Sequence, residues 1–131
     1  MNANGFGPLR QVSLTVTDVE RAVAFYRDVV GLRLIAKFGP LAFFDLGGVR
    51  LSVSQAQDAP ARNSVLYFAV DDVRAARAEL QSRGVRFVDE PHVIFDDHDG
   101  VFGEPGQAEW MTFFEDPEGN LLALSARATI A

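Results

Sequence analysis

The sequence predicts an α+β fold built from two copies of one strand–helix–three-strand unit. Three observations predict it: an alternating strand followed by an amphipathic helix occurs twice, a glycine follows each helix, and three further strand-like segments come after each glycine. We expect one domain over residues 1–131, with repeat one at about residues 9–55 and repeat two at about residues 63–126.

The first copy opens with an alternating strand. Val12, Leu14 and Val16 alternate with polar residues, which is typical of a half-buried strand. Thr17 and Glu20 have the spacing of a capping box, so a helix is predicted to begin there and to end at Gly31. In the second copy Leu66, Phe68 and Val70 occupy equivalent positions 54 residues later. Asp72 is the predicted cap of that helix, and Gly84 its end.

Three strands are predicted after each helix, with short turns that make them antiparallel neighbours. They are residues 32–38, 41–45 and 49–54 in the first copy, and 85–88, 111–115 and 120–125 in the second. Asp116, Pro117 and Gly119 occupy the places that a type I turn favours. Residues 89–108 remain as a long loop with both histidines and six acids, and such a loop is more often functional or mobile than structural.

Composition narrows the function classes. Hydrophobic residues make up 48% and charged residues 23%, as in a globular protein. The absence of cysteine excludes disulfides, thiolate metal sites and a cysteine nucleophile. A net charge of −6 argues against a nucleic-acid partner. Without a long apolar run or a signal-peptide pattern, we expect no membrane partner and a cytoplasmic protein.

The charge is distributed unevenly along the chain. Residues 1–86 carry a net +3 and residues 87–131 a net −9. An acidic surface that recognises a cationic ligand and a solvated acidic face that keeps the protein soluble are both compatible with this asymmetry.

The duplicated unit resembles the vicinal oxygen chelate superfamily, which includes glyoxalase I, bleomycin-resistance proteins, fosfomycin-resistance enzymes and extradiol dioxygenases. The motifs that carry the resemblance are residues 17–26 (TDVERAVAFY), residues 70–73 (VDDV) and residues 114–120 (FEDPEGN). It covers roughly residues 9–126. The resemblance implies that the two units form a half-open, mostly antiparallel sheet barrel around a central cavity that holds the ligand.

Strand alternation indicates which side chains face that cavity. Phe43 and Phe113 occupy equivalent places in the two repeats, as do Phe44 and Phe114, so one ring of each neighbouring pair belongs to the core. The other ring is expected to line an apolar wall of the cavity, together with Tyr67 and Trp110. The ligand-contacting candidates are Gln11, Ser13, Arg50, Ser52, Tyr67, His92, Trp110, Phe113 and Ala123.

The resemblance also implies four metal-ligand positions, which here are occupied by Gln11, Ser52, Val65 and Ala123. Only Gln11 is a competent ligand for a divalent metal. We therefore expect no metal cofactor. The alternative is a displaced divalent-metal site made by Gln11, His92 and Glu109, in which His92 and Glu109 are also the acid–base candidates.

Three functional hypotheses follow from the resemblance. The first is a metal-free binding protein of the bleomycin-resistance type, whose ligand is a small cationic or aromatic molecule. The second is a metal-dependent lyase, isomerase or dioxygenase of the glyoxalase type with a rearranged site. The third is a structural or regulatory module whose cavity is vestigial. In each case we expect a homodimer, with or without exchange of units between chains.

Overall fold

The computed structural model describes residues 8–58 and 63–131. The chain divides into two compact units, Met1–Asn63 and Ser64–Ala131. Residues 1–7, which include most of the segment used to judge a signal peptide, lie outside the described residues.

The first unit consists of one four-stranded sheet and one helical segment. Its elements are β1 (Gln11–Val16), α1 (Val19–Val23), a π-helical continuation (Ala24–Val29), β2 (Arg33–Phe38), β3 (Leu41–Asp45) and β4 (Arg50–Gln55). The strand order is β1-β4-β3-β2. The predicted antiparallel pairing of β2 with β3 and of β3 with β4 is confirmed, and β1 pairs with β4 in parallel.

The helix of this unit begins one residue later than predicted. Its cap is Asp18, whose carboxylate accepts a hydrogen bond from the Arg21 amide, so the assignment of Thr17 as the capping residue is wrong. A carboxylate at this position also suits the positive end of the helix dipole. After Val23 the helix widens into the π-helical turn, where the Val30 amide donates to the Phe25 carbonyl.

One face of this sheet packs against the helical segment and forms the core. Leu14, Phe44, Leu51 and Val53 are buried on it, together with Tyr26 from the π-helical turn. Because successive strand residues point to opposite faces, the remaining side chains of the four strands lie on the other face, which we call the helix-distal face.

The second unit repeats this architecture. Its elements are β5 (Leu66–Ala69), α2 (Val73–Ser82), β6 (His92–Asp97), β7 (Gln107–Glu115) and β8 (Leu121–Thr129), in the strand order β5-β8-β7-β6. Asp72 caps α2 as predicted, accepting from the amides of Arg74 and Ala75. The predicted turn is also present, because Asp116 accepts from the amides of Glu118 and Asn120.

The third element of this unit differs from the prediction. Residues 85–88 contribute only an isolated bridge between Phe87 and Phe114, and the strand is β6, at His92–Asp97. The expected long loop over residues 89–108 is therefore wrong for residues 92–97 and 107–108, which are strand. Residues 98–106, which connect β6 to β7, lie outside any strand or helix. The residues of β6 are mostly exposed, so they lack the apolar alternation that marks a half-buried strand.

Two four-stranded mixed sheets, neither of them closed, follow the order βαβββ in each unit. The predicted α+β fold with a duplicated unit is thus confirmed. Among the described helices, none has the length and apolar character needed to cross a membrane.

Candidate functional site

The helix-distal face of the first sheet presents three rows of side chains. Strand pairing places Gln11, Arg50, Asp45 and Arg33 in the first row, Ser13, Ser52, Phe43 and Ala36 in the second, and Thr15, Ser54, Leu41 and Phe38 in the third. The first row is therefore mostly charged. In the second and third rows, the residues from β2 and β3 are apolar. Ser52 is the most buried of the polar members, at 5% exposure.

Gln11 and Arg50 form a side-chain pair across the parallel strands. Arg50 Nε donates to Gln11 Oε1 at 2.6 Å. The Arg50 guanidinium carbon also lies 5.9 Å from the centroid of the Phe43 ring. Both contacts orient the guanidinium plane, and neither uses the two terminal amino groups of the arginine.

An apolar depression adjoins this pair. Its volume is about 480 Å³, and it is lined by Gln11, Ile35, Ala36, Phe38, Phe43 and Arg50. A bulge in β2 between Leu34 and Ala36 shifts the register there, which brings Ile35 to the depression. The result is a largely hydrocarbon surface with one oriented cation at its edge.

Asp45, the acidic side chain in the first row, is already engaged. It accepts from the Gly47 amide at 2.9 Å and from Arg33 at 3.3 Å. The hydrogen bond from Gly47, followed by that from Arg33, lowers the pKa of Asp45. Asp45 is thus ionised but paired with Arg33, and Arg50 forms no ion pair with any acidic side chain that the structure describes.

The helix-distal face of the second sheet is aromatic at the equivalent rows. The rings of Tyr67 and Phe113 meet edge to face at 6.1 Å, with Ala123 between them in the register. Phe44 and Phe114 are fully buried in the cores of their units. The predicted division of each phenylalanine pair between the two faces of its sheet is therefore confirmed, with one ring of each pair in the core.

Glu109 is bound into a network on the same face. Ser125 Oγ donates to its Oε1 at 2.9 Å, and Arg127 Nη1 donates to its Oε2 at 2.7 Å. Arg127 Nη2 donates in turn to Asp97 Oδ2 at 2.8 Å. Both carboxylate oxygens of Glu109 therefore accept a hydrogen bond from β8 of the same sheet.

Asp97 is the innermost member of this network. Its Oδ1 accepts from the Val101 amide at 2.7 Å, and its Oδ2 accepts from the Phe102 amide at 3.0 Å in addition to Arg127. Burial alone raises the pKa of this carboxyl, but the hydrogen bond from Arg127 and those from the two amides outweigh it and lower the pKa to about 2. Asp97 therefore fixes the turn between β6 and β7.

His92 lies at the start of β6 on the helix-distal face, diagonal to Glu109 in the strand register. Its Nδ1 is 2.9 Å from the Glu90 carbonyl and 3.6 Å from Asp89 Oδ2. A carbonyl can only accept, so Nδ1 is the nitrogen that donates to it. Nε2 is the nitrogen through which His92 can act.

Trp110 lies on the opposite face from the other ligand-contacting candidates of its sheet. Its ring is 5.4 Å from the Arg74 guanidinium, beside the start of α2, and it lines a depression of about 380 Å³ there. Trp110 and Phe113 are three residues apart in one strand, and strand alternation places them on opposite faces. The expectation that Trp110 shares a wall with Tyr67 is wrong.

The residues at the four positions that the resemblance implies do not fit a divalent metal. Val65 and Ala123 have hydrocarbon side chains, and Ser52 offers only a buried neutral hydroxyl. The amide oxygen of Gln11 already accepts from a guanidinium. Within the described residues of either unit, no three histidine, aspartate or glutamate side chains form a cluster that could hold a metal.

Sequence reasoning missed Ile35, Phe38, Asp97 and Arg127. The two apolar residues reach the depression because of the β2 bulge, which no pattern in the sequence announces. Asp97 and Arg127 are 30 residues apart, and a pairing at that separation is set by strand register. Arg127 is the only basic residue after residue 86, where there are ten acids. This contrast could have indicated that Arg127 pairs with one or more of them.

The chain contains two βαβββ units, each with polar and aromatic side chains on its helix-distal face. This repetition places it among proteins built by duplication of one module. The chain belongs to the Glyoxalase/Bleomycin resistance protein/Dioxygenase superfamily, whose family profile matches residues 9–124. The vicinal oxygen chelate resemblance is thereby confirmed.

Individual relatives are more distant. A metallothiol transferase FosB from Lysinibacillus sphaericus is 34% identical over 59 residues, which are 45% of this chain and 41% of that protein. The chain thus matches less than half the length of this curated relative. A lactoylglutathione lyase from Agrobacterium tumefaciens superposes with a TM-score of 0.72 at 22% identity, covering 93% of this chain and 95% of the other. A superfamily protein from Nocardioides gives 0.73 at 20% identity, covering 93% and 84%. These two structures show the shared fold.

Proposed function

We propose that this protein binds a small molecule on the helix-distal faces of its sheets and does so without the four-ligand metal site of its superfamily. The observation that carries the proposal is the donor chemistry at the four implied positions, where the only competent ligand, Gln11, accepts from Arg50. A second positive charge in contact with that oxygen would be repelled by the guanidinium.

The ligand-contacting surfaces in this proposal are the helix-distal faces, where exposed and partly exposed polar and aromatic groups surround the buried Ser52 and Ala123. In the first unit they are Gln11, Ser13, Arg50 and Ser52. In the second they are Tyr67, His92, Phe113 and Ala123. Tyr67 is 57% exposed, and its ring meets that of Phe113, which makes a suitable platform for an aromatic ligand.

The expectation of a cationic ligand rests on the acid excess after residue 86. Several of those acids have structural partners. Asp97 and Glu109 bind Arg127, and Asp89 accepts from Thr112 and from the Phe113 amide. A carboxylate already paired in this way attracts a cation weakly. A cationic ligand is therefore the less supported option, although an aromatic one retains its support.

Metal content tests the proposal directly. Protein purified without chelator is analysed for zinc, nickel, manganese and iron, and its thermal unfolding is followed with and without each metal. We expect far less than one metal per chain and no rise in the unfolding temperature, because a metal that binds only the folded state must stabilise it. One metal per chain, or a rise of several degrees with one of them, would contradict the proposal.

The second candidate is a metal-dependent enzyme with ligands or acid–base groups from Gln11, His92 and Glu109. The similarity to a metallothiol transferase over 59 residues favours it, as does the hydrogen bond that engages His92 through Nδ1 and not through Nε2. If this candidate is correct, His92→Gln removes the metal-induced rise in unfolding temperature. His98→Gln, in the turn after β6, is the matched control and leaves that rise unchanged.

A further inference from the structure

We infer that the ligand held by the first unit carries a carboxylate on an aromatic or other apolar body. The inference rests on the proposed small-molecule function and deepens it by naming the chemical class of the ligand. It starts from one side chain, Arg50, whose positive charge has no acidic partner among the described residues.

The geometry of Arg50 is that of a prepared anion receptor. The hydrogen bond of its Nε to Gln11 and the Phe43 ring beneath it fix the direction of the guanidinium plane. Its terminal amino groups make no hydrogen bond with any residue that the structure describes. A planar guanidinium held on its Nε side presents two parallel N–H donors, which match the two oxygens of a carboxylate.

The neighbouring acid does not compete for this cation. Asp45 is opposite Arg50 in the strand register, but it accepts from Arg33 and from the Gly47 amide. An anionic ligand can therefore pair with Arg50 without first displacing a carboxylate of this unit. Arg33 supplies an additional positive charge in the same row, although it is shared with Asp45.

The depression beside Arg50 determines the rest of the ligand. Ile35, Ala36, Phe38 and Phe43 give it a hydrocarbon lining of the size that a one- or two-ring body fills. The second unit has Val65 and Leu121 at the positions that correspond to Gln11 and Arg50 in the repeat. The polar pair is thus confined to one copy, as expected for a group that orients one end of a ligand.

A matched set of probes tests the inference on the full chain. The probes are 2-naphthoate, 2-naphthol and 2-naphthylmethylammonium, which share one aromatic body and differ in charge. Affinities are measured by calorimetry and by NMR titration. We expect 2-naphthoate to bind most tightly and to weaken as salt is added, because its ion pair with Arg50 is screened.

Two variants remove the receptor in different ways. Arg50→Gln deletes the cation, and Gln11→Glu places a carboxylate against it and so occupies it, with little change in size. Each is expected to weaken 2-naphthoate on the order of 10- to 100-fold while changing 2-naphthol by less than about threefold, as the loss of charged hydrogen bonds implies. Arg27→Gln is the control, since it removes an equal charge from the helical segment of the same unit, where Arg27 pairs with Asp28, and should change 2-naphthoate by less than about threefold.

Three results would overturn the inference: no binding of 2-naphthoate at millimolar concentration, equal or tighter binding of the alcohol or the amine, or an affinity for 2-naphthoate that neither variant lowers. The first two are separable from failure of the proposed function. Binding of the alcohol or the amine would leave the small-molecule proposal standing, and the metal measurement tests that proposal independently.

Discussion

Asp97 shows how a single buried carboxylate organises the second unit. It is fully inaccessible to solvent and accepts from Arg127 and from the amides of Val101 and Phe102. The Gly106 amide also donates to its backbone carbonyl. One residue thus satisfies donors from both sides of the turn, so the acidic character of this segment is in part a structural requirement.

We predict that Asp97→Asn lowers the unfolding temperature by several degrees at neutral pH. The substitution removes the negative charge that accepts hydrogen bonds from Arg127 and from the two backbone amides, and the part-buried Arg127 loses one of its two ion pairs. Asp96→Asn, one residue earlier and exposed, is the control and should change the unfolding temperature little. Equal effects of the two changes would refute the role assigned to Asp97.

The same carboxylate gives a pH dependence with a defined sign. Its pKa falls from an ordinary 3.8 to about 2 on folding, so the charged form stabilises the folded state. That contribution is fully present above about pH 4 and is lost as the pH falls towards 2. The difference in unfolding temperature between wild type and Asp97→Asn should therefore shrink between pH 5 and pH 3, and a difference that grows over this interval would contradict the assignment.

At the residue scale, the alternation of polar and apolar residues correctly predicted which face of a short strand each side chain occupies. The prediction was wrong where a side chain was assigned to a face by its chemistry and not by its position. It placed Gln11, Ser13, Arg50 and Ser52 on one face, as the register shows. Trp110 was assigned to the wall because it is aromatic, although its distance of three residues from Phe113 required the opposite face. The partners of Glu109 could not be predicted, since they come from another strand at separations of 16 and 18 residues.

At the element scale, α2 depends on its first turn. Asp72 accepts from the amides of Arg74 and Ala75, two of the donors that a helix leaves without partners in its first turn. The adjacent Asp71 forms no such bond within the described part of the chain. Among the described residues, Asp72 thus makes capping hydrogen bonds and the neighbouring Asp71 does not, so a comparison of the two isolates the effect of those bonds.

We predict that Asp72→Ala lowers the free energy of unfolding by about 1 kcal/mol, the usual cost of losing a carboxylate cap. Urea titration followed by circular dichroism measures it. Asp71→Ala removes the same charge next to the same helix end and should cost less than about 0.5 kcal/mol. If the two substitutions cost the same, the effect belongs to charge near the helix terminus and the capping bonds are not responsible.

Strands and helices could be predicted from the sequence where one buried side produces a regular spacing of apolar residues. Where an element has no buried side, the sequence lacks that spacing. Both β1 and α2 have one buried side, so their patterns appear in the sequence. The exposed edge strand β6 has almost no buried residue, and its pairing with β7 comes from backbone hydrogen bonds that leave no mark on side-chain polarity. A pattern-based reading therefore assigned its length to a loop.

At the scale of the whole molecule, the second unit carries most of the acid and also an exposed apolar surface. Val101 and Phe102, in the turn after β6, are 67% and 71% exposed, and the Phe102 ring meets the exposed Phe95 ring with centroids 5.7 Å apart. Monomeric proteins rarely leave such contiguous apolar surface in water. In a two-fold dimer, a second copy of the chain would cover this surface.

We predict that the protein is a homodimer that covers this surface, with a sedimentation mass of twice the 14.3 kDa chain. Its unfolding temperature should rise with protein concentration, because dimerisation stabilises only the folded state. Phe102→Glu should shift the equilibrium towards the monomer, since it places a charge in the covered surface while the Phe102 amide still binds Asp97. Glu104→Gln, a polar change in the same turn, is the control. A mass of one chain at every concentration would exclude the dimer. If the protein is a dimer that Phe102→Glu does not weaken, its interface lies elsewhere. Exchange of units between chains is one such arrangement.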